Sequence, residues 1–178
     1  MLTRGHIMKC FIAAVAATLL LGAPAIAKWE TDVDEDPMTD DKVAYMETTL
    51  DGDDDVALAM KCWDDKDKSI SLYVYTGTRY DKAAKYEEFE VFSLRVDKGE
   101  VFKLPFAPVE DEGYLMYELP ISGYGRTEEA FRAAIKMIGA AKGKVAVEMS
   151  NNQYVFDVGG SDDAFDTFRK TCKLDLSS

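Results

Sequence analysis

Histidine is almost missing from this chain: the single one is His6. Cysteine occurs three times, at Cys10, Cys62 and Cys172, and proline only five times. No Gly-x-x-x-x-Gly-Lys-[Ser/Thr] and no Gly-x-Gly-x-x-Gly is present, which removes the signatures of phosphate- and dinucleotide-cradling loops. Long apolar runs are also lacking. Phe11–Leu21 is apolar but for Thr18, and it is much shorter than the roughly 20 residues a helix needs to cross a bilayer. Basic residues are scarce beside acidic ones, 21 against 33.

The first residues have the order of a secretory signal. Arg4 and Lys9 make a basic start, Phe11–Leu21 a short apolar core, Gly22-Ala23-Pro24 a helix-breaking segment, and Ala25-Ile26-Ala27 a cleavage site. The expected products are a signal peptide, residues 1–27, and a single exported domain, residues 28–178. No membrane span is expected in the mature form. Cys10 precedes the apolar run, which is the wrong side for a lipoprotein anchor.

Cleavage changes what chemistry is open to the protein. Residues 1–27 carry two basic residues and no acid, so their loss takes the net charge from −12 to −14. A domain this acidic repels nucleic-acid phosphates and anionic headgroups. Cleavage also removes His6 and Cys10. A Ser-His-Asp or Cys-His site then has no histidine, and a catalytic zinc site loses its usual ligand. The two remaining cysteines are expected to pair, since an exporting compartment is oxidising. A Cys62–Cys172 disulfide leaves no thiol nucleophile.

Periodicity in the mature chain is first that of strands and then partly that of helices. Strands are expected at Trp29–Val33, Val43–Leu50, Val56–Trp63, Ile70–Tyr75, Phe89–Val96, Glu100–Phe106 and Tyr114–Leu119. Val56, Leu58, Met60 and Cys62 alternate onto one side, which puts Cys62 on a core face. A helix is expected from Thr127, whose hydroxyl caps a first turn holding Glu128 and Glu129, ending at Gly143. A hairpin Lys144–Met149 and Tyr154–Val158 follows. A last helix starts at Ser161 and aligns Phe165, Phe168 and Cys172. The fold class is α+β, mainly β: an antiparallel β-sandwich-like core with two helices in the C-terminal half.

Several of these pieces occur in a distinctive order. A Trp follows the signal, then Asp36-Pro37-Met38-Thr39-Asp40, a Cys closing a strand, and an Arg95-Val96-Asp97 turn. A helix comes next, and then Val155 to Cys172, reading VFDVGGSDDAFDTFRKTC. In this the chain resembles the VasI-type periplasmic proteins associated with type VI secretion, and more weakly the invasion-associated locus B proteins. The resemblance implies an exported, disulfide-bearing accessory domain of the periplasm without established catalytic activity. It carries no functional residues to transfer.

Carboxylates are the one abundant reactive group. Asp32, Asp34 and Asp36 have the opening spacing of a calcium loop, as do Asp51, Asp53 and Asp55. The loop's sixth and twelfth positions require Gly and Glu, and here they are Pro37 and Val43, or Val56 and Cys62. No metal and no cofactor is therefore expected. Arg95 and Asp97 flank a hairpin turn and are candidates for pairing with each other or with a partner. The middle of the chain is rich in tyrosine: Tyr73, Tyr75, Tyr80, Tyr86, Tyr114, Tyr117 and Tyr124. Tyr124 is a candidate for recognition because Gly123 and Gly125, just before the helix, allow unusual backbone angles beside an aromatic. The expected function is a non-enzymatic accessory or protein-interaction domain of the cell envelope, with a periplasmic location, or full secretion as the alternative, and an envelope protein as partner. The rival is a small-ligand or glycan-binding module on the tyrosine-rich face. A hydrolase built on carboxylates alone comes third.

Overall fold

A computed structural model of the chain describes residues 29–63, 70–120, 126–160 and 162–174. The expected signal peptide, Tyr124 with its two glycines, and the Ser161 cap lie outside the described residues. The elements in chain order are β1 (Glu30–Glu35), β2 (Lys42–Leu50), β3 (Asp53–Trp63), β4 (Ile70–Arg79), β5 (Glu90–Val96), β6 (Val101–Asp111) and β7 (Tyr114–Pro120), then α1 (Arg126–Gly139), β8 (Lys144–Met149), β9 (Asn152–Asp157) and α2 (Asp162–Thr171).

All nine strands form one sheet in the order β1-β2-β3-β4-β7-β6-β5-β8-β9, and every pairing is antiparallel. The mainly β fold with two helices in its second half is thus as the sequence predicts. Its layers arise from one curled sheet, not from two separate ones. The corner is β6, which pairs with β5 over residues 101–106 and with β7 over residues 107–111. Each half of β6 has one open edge. Pro105 and Pro108, which cannot donate to a ladder, bracket the switch, where an unpaired edge tolerates them. For the same reason the strand does not stop at Phe106, as expected, but runs on to Asp111.

Curling brings the far end of the sheet back toward its start. The Thr48 hydroxyl of β2 donates to the Asp157 carbonyl of β9 at 3.4 Å. The inner face encloses the main core, to which alternate residues contribute: Ala44 and Met46; Leu58 and Met60; Leu72 and Val74; Phe92 and Leu94; Val145 and Val147. Phe92 stacks on Phe106 with ring centroids 4.6 Å apart. Strict period-two alternation is the reason the sheet can have an apolar inside and a separate outer face.

Both helices cover the open side of the curl. α1 lies against β5 and β6, and α2 against β1 and β2. α1 buries Phe131, Ala134, Ile135 and Ile138, the expected stripe. It ends at Gly139, not at Gly143. A Cβ on Gly139 would stand 2.0 Å from Cε1 of Phe165, so the missing side chain is what lets α2 pack over the end of α1. Gly143 instead sits where the Asp97 carboxylate approaches the loop before β8. On α2, Phe165 and Phe168 are buried and the Thr31 hydroxyl donates to the Ala164 carbonyl at 2.9 Å. Cys172 follows the helix directly, with its N–H still bonded to Phe168. Its sulfur is 1.99 Å from that of Cys62, a disulfide joining residues 110 apart. The bond fastens the terminal helix to β3. Among the described residues no helix is long and apolar enough to cross a membrane.

Candidate recognition face

The outer face of the sheet has its own small cluster. Ala59, Tyr73 and Met116 are buried there, and Tyr45, Tyr75 and Val109 pack on them half-exposed. The register explains the grouping. Glu47 of β2, Ala59 of β3, Tyr73 of β4, Glu118 of β7 and Ala107 of β6 form one row across five strands. The next row runs Thr49, Ala57, Tyr75, Met116 and Val109. Alanines on β3 leave a low line between the taller side chains of β2 and β4. The tyrosine rings lean over it, which leaves Ala59 wholly buried although it faces away from the main core.

Each carboxylate in this patch holds a phenol. The Tyr45 hydroxyl donates to Glu47 at 2.9 Å, and the Tyr73 hydroxyl to Glu118 at 3.1 Å. Burial, followed by neighbouring Tyr75 and Glu47, pushes the Tyr45 phenol well above its ordinary range. Burial, with Glu118 beside it, does the same to Tyr73. Tyr75 is raised by burial and by the carboxylates of Asp111, Glu47 and Glu112. Around neutral pH all three are neutral hydrogen-bond donors set among anions, a chemistry suited to binding.

The ends of the face hold the chain's own cations. Lys61 lies over the Trp63 ring at 4.9 Å, and Arg79 over the Tyr114 ring at 4.1 Å. Beside Tyr75 the face falls into a trough of about 220 Å³ walled by Thr76, Gly77, Tyr114 and three carboxylates, Asp55, Asp111 and Glu112. A wider groove of about 610 Å³ lies between the β1–β2 turn and Trp63.

The other residues singled out in the sequence are placed elsewhere. Arg95 and Asp97 serve different neighbours. The Arg95 Nε donates to the Gly99 carbonyl at 3.2 Å, closing its own hairpin. Asp97, in the left-handed region at φ 49°, accepts the Lys142 N–H at 3.0 Å and the Lys144 N–H at 2.8 Å. Those backbone donors hold its carboxyl below the usual value. Asp97 is therefore a clasp between the β5–β6 turn and the loop that leads from α1 into β8. Tyr117 faces the inner core beside Phe92, 4.9 Å between centroids, and Tyr80 stacks on Tyr86 at 5.0 Å. Of the seven tyrosines named, Tyr73 and Tyr75 reach the face together, with Tyr114 at its end. Nothing in the local sequence marks Tyr45, Glu47 and Glu118 together as members of the same face. The signal for Tyr45 and Glu47 was their alternation with Ala44 and Met46, but only the strand order puts them beside Tyr75. Among the described residues no group of three or more His, Cys, Asp or Glu is arranged to hold a metal ion.

No protein-family model matches the chain, and neither a curated protein nor a solved structure matches it.

Proposed function

We propose that residues 28–178 are an exported, non-catalytic interaction domain of the cell envelope, an accessory protein that works by holding a protein partner. The observation that carries this reading is the outer face of β2-β3-β4-β7. It presents tyrosine rings on a sheet with their hydroxyls neutral, those of Tyr45 and Tyr73 already oriented by carboxylates. Tyrosine is enriched at protein interfaces because it offers a large contact area with a polar tip at a small entropic cost. The residue types left after cleavage point the same way, since the mature chain lacks histidine and its two cysteines are joined. So does the resemblance to periplasmic accessory proteins, which makes the periplasm the proposed location.

Site-specific photocrosslinking in the native envelope tests the reading. A photoreactive residue at position 75 or 47 should give discrete protein adducts, whereas one at exposed position 100, off the face, should not. If position 75 yields no protein adduct while the purified domain binds members of a glycan panel, the glycan-binding reading replaces this one.

A further inference from the structure

We infer that the partner presents a basic, extended segment to this face, laid across β2, β3, β4 and β7 with an Arg or Lys side chain against Tyr75. The inference rests on the interaction reading above and narrows it to one class of partner.

Size comes first. Four strands about 4.8 Å apart, read over about five residues of ~3.3 Å each, make a patch on the order of 300 Å². A standard protein–protein interface takes about 800 Å² from each partner. The face therefore fits a segment better than a broad globular surface.

Charge comes second. Glu47 and Glu118 stand on the face, and Asp111 and Glu112 border Tyr75. Glu47 and Glu118 hold tyrosine hydroxyls and make no ion pair with any described residue. A second copy of this chain would bring another strongly acidic surface, and like charges across an interface cost affinity. A basic segment brings the complement.

The third argument is the pairing the chain already makes on this face. Its cations at the two ends, Lys61 and Arg79, both lie on aromatic rings. The middle has the rings and the carboxylates but no cation of its own among the described residues. A guanidinium or ammonium set over a tyrosine is attracted by the ring's negative face, and a neighbouring carboxylate adds to that attraction.

The test uses the exported protein and three synthetic nonapeptides of alternating serine and a variable residue. The variable residue is arginine, citrulline (same shape, no charge) or glutamate. Binding is followed by NMR shifts and titration. The arginine peptide should saturably shift signals of Tyr45, Tyr73, Tyr75 and Met116. The citrulline peptide should bind at least tenfold more weakly, and the glutamate peptide not at all. The variant E47Q/E118Q keeps an acceptor for each phenol and so preserves the shape of the face. It should weaken arginine binding at least threefold, against little change for E100Q/D163N, which removes two exposed charges elsewhere. Equal binding of the citrulline peptide overturns the inference. So do shifts confined to the β1–β2 turn, or an effect of E47Q/E118Q no larger than that of E100Q/D163N. The two proposals fail separately. If position 75 crosslinks to a protein through a segment without Lys or Arg, the interaction reading stands and the basic-segment inference falls.

Discussion

Reducing the Cys62–Cys172 bond should remove a large share of this domain's stability. The two cysteines are 110 residues apart. In the chain-entropy treatment, opening a loop of that length frees the unfolded chain by about 4–5 kcal/mol at room temperature. Single domains have net stabilities of about 5–15 kcal/mol, so the reduced protein should be marginal. What remains to hold α2 includes the burial of Phe165 and Phe168, the Thr31–Ala164 hydrogen bond and the exposed Lys142–Asp162 ion pair, which adds little. The assay is equilibrium urea unfolding with and without a phosphine reductant, followed by the fluorescence of Trp29 and Trp63. With a slope of about 2 kcal/mol per molar urea, the midpoint should fall by about 2 M. The slope itself should rise, because an uncrosslinked unfolded chain exposes more surface. A midpoint shift below about 0.5 M, which is about 1 kcal/mol at that slope, would refute the reasoning. Two alkylatable thiols in the protein before reduction would refute it outright.

Three further outcomes are expected. Gly139→Ala places a Cβ 2.0–2.4 Å from three ring carbons of Phe165. Such over-packing should cost at least about 1–3 kcal/mol in thermal or urea unfolding, and Phe165→Leu should recover part of it. Asp97→Asn keeps a residue tolerant of φ 49° but removes the charge that two backbone donors hold. The expected loss at neutral pH is about 1 kcal/mol, below the usual ~1.5–3 kcal/mol for hydrogen bonds to charged groups because this one is exposed. Asp97 is held below its ordinary value of 3.8, so its contribution is complete above that value and is lost as the pH falls through the lower folded value. The stability gap between wild type and variant should therefore close in acid, and a gap unchanged at pH 2 contradicts the clasp. Ultraviolet titration should show Tyr45, Tyr73 and Tyr117 still un-ionised when ordinary tyrosines ionise near pH ~10. Their folded values lie above the unfolded one, so the stability they contribute is complete below pH ~10 and falls as the pH rises beyond it. Release of all phenolic protons in one step near that pH would contradict the burial of the three rings.

Much of the fold was legible because a strand's period is two and a helix's close to four. Val56, Leu58, Met60 and Cys62 alternate on β3, and Phe131, Ala134, Ile135 and Ile138 repeat on α1; local pattern carried both. Cys62 and Cys172 could be matched because they are the two cysteines left after the expected cleavage, and because each lies on the apolar side of its own element. The last part of β6 was less legible. Pro108 argues locally against a strand, and only the change of partner at residues 106–107 makes the open edge that tolerates it. The end of α1 at Gly139 is equally hidden from local pattern. Gly143 is the more obvious stop signal, whereas Gly139 matters because Phe165 from another helix occupies the space where its side chain would be.

The sequence by itself determined the exclusion of histidine chemistry from residues 28–178, the acidity of that domain, and the elements able to bury a core. Those follow from composition and short-range period, which need no partner. Tertiary structure decided where Asp97 spends its charge and which tyrosines meet. The Asp97 carboxylate bonds to backbone donors 45 and 47 residues away. The tyrosine-bearing outer face exists because β4 pairs with β3 on one side and with β7 on the other. Pairings at that range depend on the register of the whole sheet, and local sequence contains no measure of it.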